Sequence, residues 1–392
     1  MRRTAILGFL IVFGNAIVLQ AQQPEIVIPH VVEGPGRTKP IWVSLSGFTG
    51  EASQVLQFDL YVQGFNFTNT ESAQYLLSGS NNGDLQAQAS DRISKAAVIS
   101  PKAYRGGTLR RQAHLFVDEF AQKLGHQPIC QTKIAFKGEN GKASEVYISD
   151  FDGQNAQAVT RDGTIVAAPA MVPGQLALYY TSYKLDHPDI FFQNLSTGAR
   201  KIFARYGGSN ISPAPSPNGE QVAMILSKDG WTDLYVANSD GSNLRRLTKS
   251  PQDESSPCWS PDSRWICYAA KVSERRALRK ISASGGESQV IATSGLPSPT
   301  EPDWSPDGKL IAFTSQTRSG FSICVVSPNG GDATQLVEGE DPSWSPNSRT
   351  LAFARRQGGH YVLSLLDVPT KQVKDVSRLS GIGSQSQPSW AR

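Results

Sequence analysis

Hydrophobic and polar positions alternate along most of this chain, and from about residue 130 onward they do so in a unit that repeats. The repeat is Pro-x-Trp-Ser-Pro-(Asp/Asn)-(Gly/Ser). It is intact at Pro257-Cys258-Trp259-Ser260-Pro261-Asp262-Ser263, from Pro302 to Gly308 and from Pro342 to Ser348. In Pro213-Ala214-Pro215-Ser216-Pro217-Asn218-Gly219 a proline replaces the tryptophan, Pro169 to Gly174 is a worn copy, and Pro388-Ser389-Trp390 is truncated. The leading prolines are spaced 44, 44, 45, 40 and 46 residues apart, the period of a four-stranded propeller blade.

Each unit predicts the same run of elements. Pro-Asp-Gly or Pro-Asn-Ser is a tight turn, because Pro presets φ and the next residues tolerate the corner. An apolar strand follows, as in Gln221-Val222-Ala223-Met224-Ile225-Leu226 or Leu351-Ala352-Phe353-Ala354. Then come an alternating strand (Asp233-Leu234-Tyr235-Val236-Ala237-Asn238), a turn (Ser239-Asp240-Gly241-Ser242) and a short outer strand (Leu244 to Thr248). The segment before each Trp is the inner strand lining a central channel. Trp259, Trp304, Trp344 and Trp390, one in each of four units, are expected to fill the space between sheets. The unit beginning Lys133-Ile134-Ala135-Phe136 lacks an inner strand, and the last inner strand, Gln387 to Ala391, lacks a blade. Joined, they close a six-bladed ring and remove its sheet edges.

Residues 22–130 lack the repeat. Leu109, Ala113, Phe116, Val117, Phe120 and Leu124 form one stripe of a helix capped by Thr108 and stopped by Gly125, with Arg110, Arg111, Asp118, Glu119 and Lys123 elsewhere on its surface. A second helix is expected from Glu51 to Gln63, and strands at Pro40–Leu45, Tyr75–Ser78, Leu85–Gln88 and Ala96–Ile99. The fold class is therefore mainly β: a C-terminal six-bladed propeller over 131–392, closed by its last strand, after a small α/β domain over 38–130. Residues 22–37 form an extended arm. Arg2-Arg3, the apolar run Ala5–Leu19 and Gln20-Ala21-Gln22 read as a secretory signal cleaved after Ala21.

Composition narrows the function. A formal charge of +4, with no basic cluster interleaved with aromatics, gives no case for nucleic acid. Four cysteines (Cys130, Cys258, Cys267, Cys324) would permit two disulfides in an exported protein, but their apolar surroundings favour small buried thiols. The five histidines share no ligand spacing, so an ordinary packing or surface role is expected for each, and neither metal nor cofactor is expected. No Gly-x-Ser-x-Gly elbow occurs, against a propeller peptidase. Asp253, Glu254, Glu301, Glu340 and Asp341 each precede a Pro-x-Trp unit. They are read as loop residues around one channel mouth, either as solvated loop charge or as a docking rim. The alternative from another class is a stand-alone lyase or hydrolase with a metal or sugar site in the channel.

The join Leu109-Arg110-Arg111-Gln112-Ala113-His114 … Lys123-Leu124-Gly125 … Thr132-Lys133-Ile134-Ala135-Phe136 and the start Glu25-Ile26-Val27-Ile28 … Thr38-Lys39-Pro40-Ile41-Trp42-Val43 resemble the TolB family. These are soluble periplasmic components of the Tol–Pal envelope system of Gram-negative bacteria. The resemblance covers essentially the whole mature chain, although Gln63 to Ser80 is shorter than the family pattern. It implies a non-enzymatic, periplasmic, monomeric scaffold with no membrane insertion after signal cleavage. In that family the channel mouth binds Pal, the peptidoglycan-associated lipoprotein, and the N-terminal segment binds TolA. This contact supports outer-membrane integrity, cell division and protein import. Carried over, the Pal-like contacts are Ser209, Asn210 and Ser212 in one loop and Glu254, Ser255 and Ser256 in the next, with Glu301 and Asp341 completing the rim. Ser209 stands where the family often has His. The TolA-like contacts are Glu25, Ile26, Val27 and Ile28.

Overall fold

A computed structural model of the chain describes residues 34–272, 275–317, 320–376 and 381–392. The expected signal segment and the arm residues Glu25, Ile26, Val27 and Ile28 lie outside these residues.

The α/β domain is built on strands β1 (Ile41–Ser46), β2 (Phe65–Phe67), β3 (Tyr75–Ser80), β4 (Leu85–Asp91) and β5 (Ala97–Tyr104) with helices α1 (Gly50–Tyr61) and α2 (Leu109–Lys123). The sheet order is β2-β1-β3-β4-β5, with β1 parallel to both neighbours and the rest antiparallel. The three-residue strand β2, too short to signal itself in the sequence, receives the crossover through α1. The Thr108 hydroxyl accepts from Arg111 N at 3.2 Å and caps α2 as expected. Ala113, Phe116, Val117 and Phe120 are buried against the sheet.

The other face of α2 differs from the sequence reading. Asp118, expected on the surface, is buried and accepts from Ile129 N (3.0 Å) and Cys130 N (2.9 Å), fixing the connector into the propeller. His114 is also buried. Its Nδ1 lies 2.6 Å from Asp59 Oδ2 on α1, and its Nε2 lies 3.4 Å from Asp152 in the first blade. Burial opposes a charge on the ring, but Asp152 and Asp59 outweigh it and raise its pKa to about 9. Arg110 also pairs with Asp152. The helix is polar on this face because a second structure, the propeller, covers it.

Six four-stranded antiparallel sheets make the propeller. The first takes Ser384–Trp390 as its inner strand beside Lys133–Asn140, Ala143–Asp150 and Gln157–Ala158, so the ring closes as the repeat arithmetic required. Inner strands of the next five are Val166–Met171, Asn210–Pro215, Glu254–Trp259, Pro299–Trp304 and Glu340–Trp344. All four repeat tryptophans are buried between blades. Trp344, for instance, packs with Phe353, Leu351 and Leu366 of its own blade and Ile323 and Val325 of the preceding one. All four cysteines are free and buried.

The α/β domain stands on the face where inner strands end. Thr350 Oγ1 donates to Val62 O at 3.1 Å, Gln372 Nε2 donates to Phe65 O at 2.9 Å, and Phe151 packs edge-on to Phe58. Blades one and six, which meet at the closure, carry these contacts. The opposite mouth, where inner strands begin, is left uncovered by the domain.

Candidate functional site

Proline cannot donate to a sheet ladder, so each leading proline disturbs the inner strand it occupies. In all six blades the register against the second strand slips at that point. The residue just before the proline takes left-handed backbone: Ala168 (φ 49°), Ser212 (53°), Ser256 (51°), Glu301 (52°), Asp341 (56°) and Gln387 (50°). One non-glycine residue per blade held there costs of order 1–2 kcal/mol, which the ladder on both sides sustains. The result is a ring of six side-chain positions lining a cavity of about 630 Å³.

The ring is uneven. Glu301 Oε2 accepts from Asp341 N (3.2 Å), Asp341 Oδ2 from Gln387 N (3.0 Å), and Gln387 Oε1 from Ala168 N (2.8 Å). Each side chain thus braces the next blade from the fifth round to the second. Ala168, Ser212 and Ser256 are too short to continue, and Thr181 Oγ1 accepts from Ser212 N at 3.3 Å instead. One half of the ring is knitted and the other is open. Burial and the neighbouring Glu301 push the Asp341 carboxyl well above the usual carboxylate range. Burial and Glu301 raise Glu340 in the same way. At the floor, Arg392 donates to the carbonyls of Trp344 (3.1 Å) and Trp304 (3.3 Å) and pairs with Asp303.

Above the open half stand exposed apolar side chains. Strand register puts Ile165, Tyr183, Tyr206 and Trp231 at the end where inner strands begin: Val166 pairs with Ser182, Asn210 with Leu226, and Tyr183 N donates to Ile165 O. Trp231 is 52% exposed and Ile165 47%. Aromatics of this kind serve as anchors in protein interfaces.

Of the eight residues expected at the rim, the structure brings Ser212, Ser256, Glu301 and Asp341 together in the cavity. The others go elsewhere. Asn210 is fully buried: its Oδ1 accepts from Tyr206 N (2.9 Å), and its Nδ2 donates to the carbonyls of Tyr206 (2.9 Å) and Pro188 (3.2 Å). Glu254 is not a loop residue but opens the inner strand Glu254–Trp259, 4% exposed, accepting from Leu234 N at 2.9 Å and from the Thr248 hydroxyl. Glu301, Glu340 and Asp341 likewise lie in strands rather than in preceding loops. Ser209 is half-buried and donates its N–H to Ser227 Oγ at 2.7 Å, while the Ser255 hydroxyl is buried. The sequence reading missed Ala168 and Gln387. Aligning the residue before each leading proline identifies both.

Burial pushes the Glu254 carboxyl up to about 7, despite the hydrogen bonds from Thr248 and Leu234 that favour its charged form. An acid whose pKa is higher folded than unfolded contributes stability at low pH that is lost as pH rises through the folded value. Relative to Glu254→Gln, the protein should lose roughly 3 kcal/mol between about pH 4.5 and 7. Urea unfolding of both proteins across that range measures it. Parallel stabilities would mean that the Glu254 carboxyl is not shifted upward by folding.

The fold and site define a six-bladed propeller with an α/β domain on one face, exposed apolar side chains at the other and a cavity along its inner strands. Residues 121–392 match the family model of the TolB beta propeller domain, and the chain belongs to that family. It is similar to the Tol-Pal system protein TolB of Bordetella pertussis, 27% identical over 209 residues, which are 52% of this chain and 48% of that protein. It is also similar to the Tol-Pal system protein TolB of Desulfosudis oleivorans, 32% identical over 161 residues, 40% of this chain and 36% of that protein. The chain thus spans about half the length, or less, of these curated relatives. In structure it resembles TolB from Acinetobacter baumannii with a TM-score of 0.80 at 20% identity, covering 91% of this chain and 98% of that one. No helix among the described residues is long and apolar enough to cross a membrane.

Proposed function

We propose that this chain is the periplasmic scaffold of a Tol–Pal system, acting by protein–protein contact without a reaction of its own. Its propeller mouth takes a Pal-like peptidoglycan-associated lipoprotein, and its arm, at Glu25, Ile26, Val27 and Ile28, takes a TolA-like inner-membrane protein. Through these contacts it supports outer-membrane integrity, cell division and protein import. Two observations support the reading: Ser212 and Ser256 line the unknitted half of the cavity, and exposed Trp231, Tyr183 and Tyr206 stand on the second and third blades at the end where inner strands begin, which the α/β domain leaves clear. Serines 212 and 256 leave room there for an inserted side chain.

Calorimetric titration of the chain with the soluble domain of the Pal-like lipoprotein from the same organism tests it. Ser256→Arg places a guanidinium in the cavity and is expected to weaken binding at least thirtyfold, the equivalent of about 2 kcal/mol at a central interface position. Its circular dichroism should be unchanged. Wild-type affinity in this variant would move docking away from the cavity. If the unaltered chain bound no such domain, a channel-based activity would replace the scaffold reading.

A further inference from the structure

A second cluster lies on the opposite side, where the helices meet the first blade. The Asp59 carboxylate, a ring nitrogen of His114 and Cys130 Sγ lie within 4.8 Å of one another, and all three residues are buried. They come from three separate segments: α1, α2 and the connector into the propeller. Two further oxygens beside them are buried without a hydrogen-bond partner, Asp59 Oδ1 and Gln63 Oε1. The Gln63 amide belongs to the same pocket, since its Nε2 is 3.3 Å from Cys130 Sγ. A carboxylate oxygen shut away from water with no donor is a demand that protein structures rarely leave unmet.

A cation meets that demand, and the donor set specifies its kind. Imidazole, thiolate and carboxylate together suit zinc, whereas calcium and magnesium take oxygen alone. The surroundings of His114 fit as well. Behind its other nitrogen, 3.4 Å away, stands the Asp152 carboxylate, held by Arg110. A carboxylate behind the imidazole is the arrangement that orients a metal-bound histidine and raises its basicity. We propose that Asp59, His114 and Cys130 bind one zinc ion, with the Gln63 amide oxygen as fourth donor, and that the ion fastens both helices and the connector to the propeller.

Binding requires a local rearrangement, because the Gln63 amide, whose Nε2 now donates to Asp59 O at 3.1 Å and to Cys130 Sγ at 3.3 Å, must turn to present its oxygen. Asp59 Oδ2 and His114 Nδ1, now 2.6 Å apart, separate to about 3.4 Å across a tetrahedral zinc. Binding releases two protons to solvent, one from between Asp59 and His114 and one from the Cys130 thiol, while the ion keeps its charge and oxidation state.

The test uses the full chain refolded with and without zinc chloride, then freed of loose metal by gel filtration. Mass spectrometry of the metal content should find one zinc per chain, and the zinc-refolded protein should melt at a higher temperature. Cobalt in place of zinc should give a thiolate-to-cobalt charge-transfer band, lost in Cys130→Ser, whose fold is checked by circular dichroism. Asp152→Asn, which touches no metal, should weaken zinc affinity about ten- to a hundredfold. A folded wild-type chain that retains neither zinc nor cobalt at micromolar free metal overturns the proposal. A charge-transfer band that persists in Cys130→Ser also overturns it, because Cys258, Cys267 or Cys324 would then be the ligand.

Discussion

A chain lacking residues 384–392 is expected to lose cooperative folding of its propeller. The strand Ser384–Trp390 pairs with Lys133–Asn140 from Ser384 opposite Glu139 to Trp390 opposite Ile134. It also bonds sideways to both flanking blades. Gln387 Oε1 and Ser389 Oγ accept from Ala168 N and Met171 N (2.8 and 2.9 Å), and Trp390 N donates to Ser343 Oγ at 3.0 Å. The Trp390 ring is 2% exposed and its Nε1 donates to Thr132 Oγ1 at 2.7 Å. Truncating such a tryptophan costs about 3–5 kcal/mol by itself. Removing the whole strand adds a lost ladder and an open edge, against a usual total stability of only about 5–15 kcal/mol. Thermal melts followed by circular dichroism should show a broad transition or none. A truncated chain melting within a few degrees of the full one would refute closure by this strand.

Glu254→Arg should come close to that effect with a single residue. Its carboxyl sits between the third and fourth blades, bonded to Leu234 N and Thr248, with Asp233 nearby. Asp233 already has a partner in Arg246. A guanidinium there would be larger than the space, would take away one of the two acceptors of Leu234 N–H (the other is Thr248 Oγ1 at 2.9 Å) and would leave the Thr248 hydroxyl without its carboxylate. Disrupting a buried charged or hydrogen-bonded network of this kind costs about 3–5 kcal/mol. Ser256→Arg, two residues along, should leave the melting temperature nearly unchanged because its side chain enters the cavity. Equal melting temperatures for the two variants would contradict the burial of Glu254.

That contrast shows where sequence reading stops. Alternation alone puts residues 254 and 256 on the same face of a strand. The bulge between Ser255 and Cys258 shifts the register, so Glu254 turns into the gap between blades and Ser256 into the channel. The repeat made the blades, the closure and the four tryptophans legible because each rests on local turn chemistry and a fixed period. Asn210 looked like a loop residue because Asn suits loops, yet its side chain replaces a backbone network that only the folded loop assembles. His114 and Asp118 share the cause: a helical wheel shows one apolar stripe and cannot show that a propeller will cover the polar side.

Where the partner docks is settled most directly by amide hydrogen exchange of the full chain, with and without the soluble domain of the Pal-like lipoprotein. Loops on a rigid scaffold are where such contacts concentrate, and their exposed amides exchange fast enough for protection to register. Slowed exchange is expected at residues 183–188, 205–209 and 227–232, around the open half of the mouth, with the α/β domain surface unchanged. Protection confined to residues 41–123, or absent from the mouth loops under saturating partner, would contradict docking at the channel mouth.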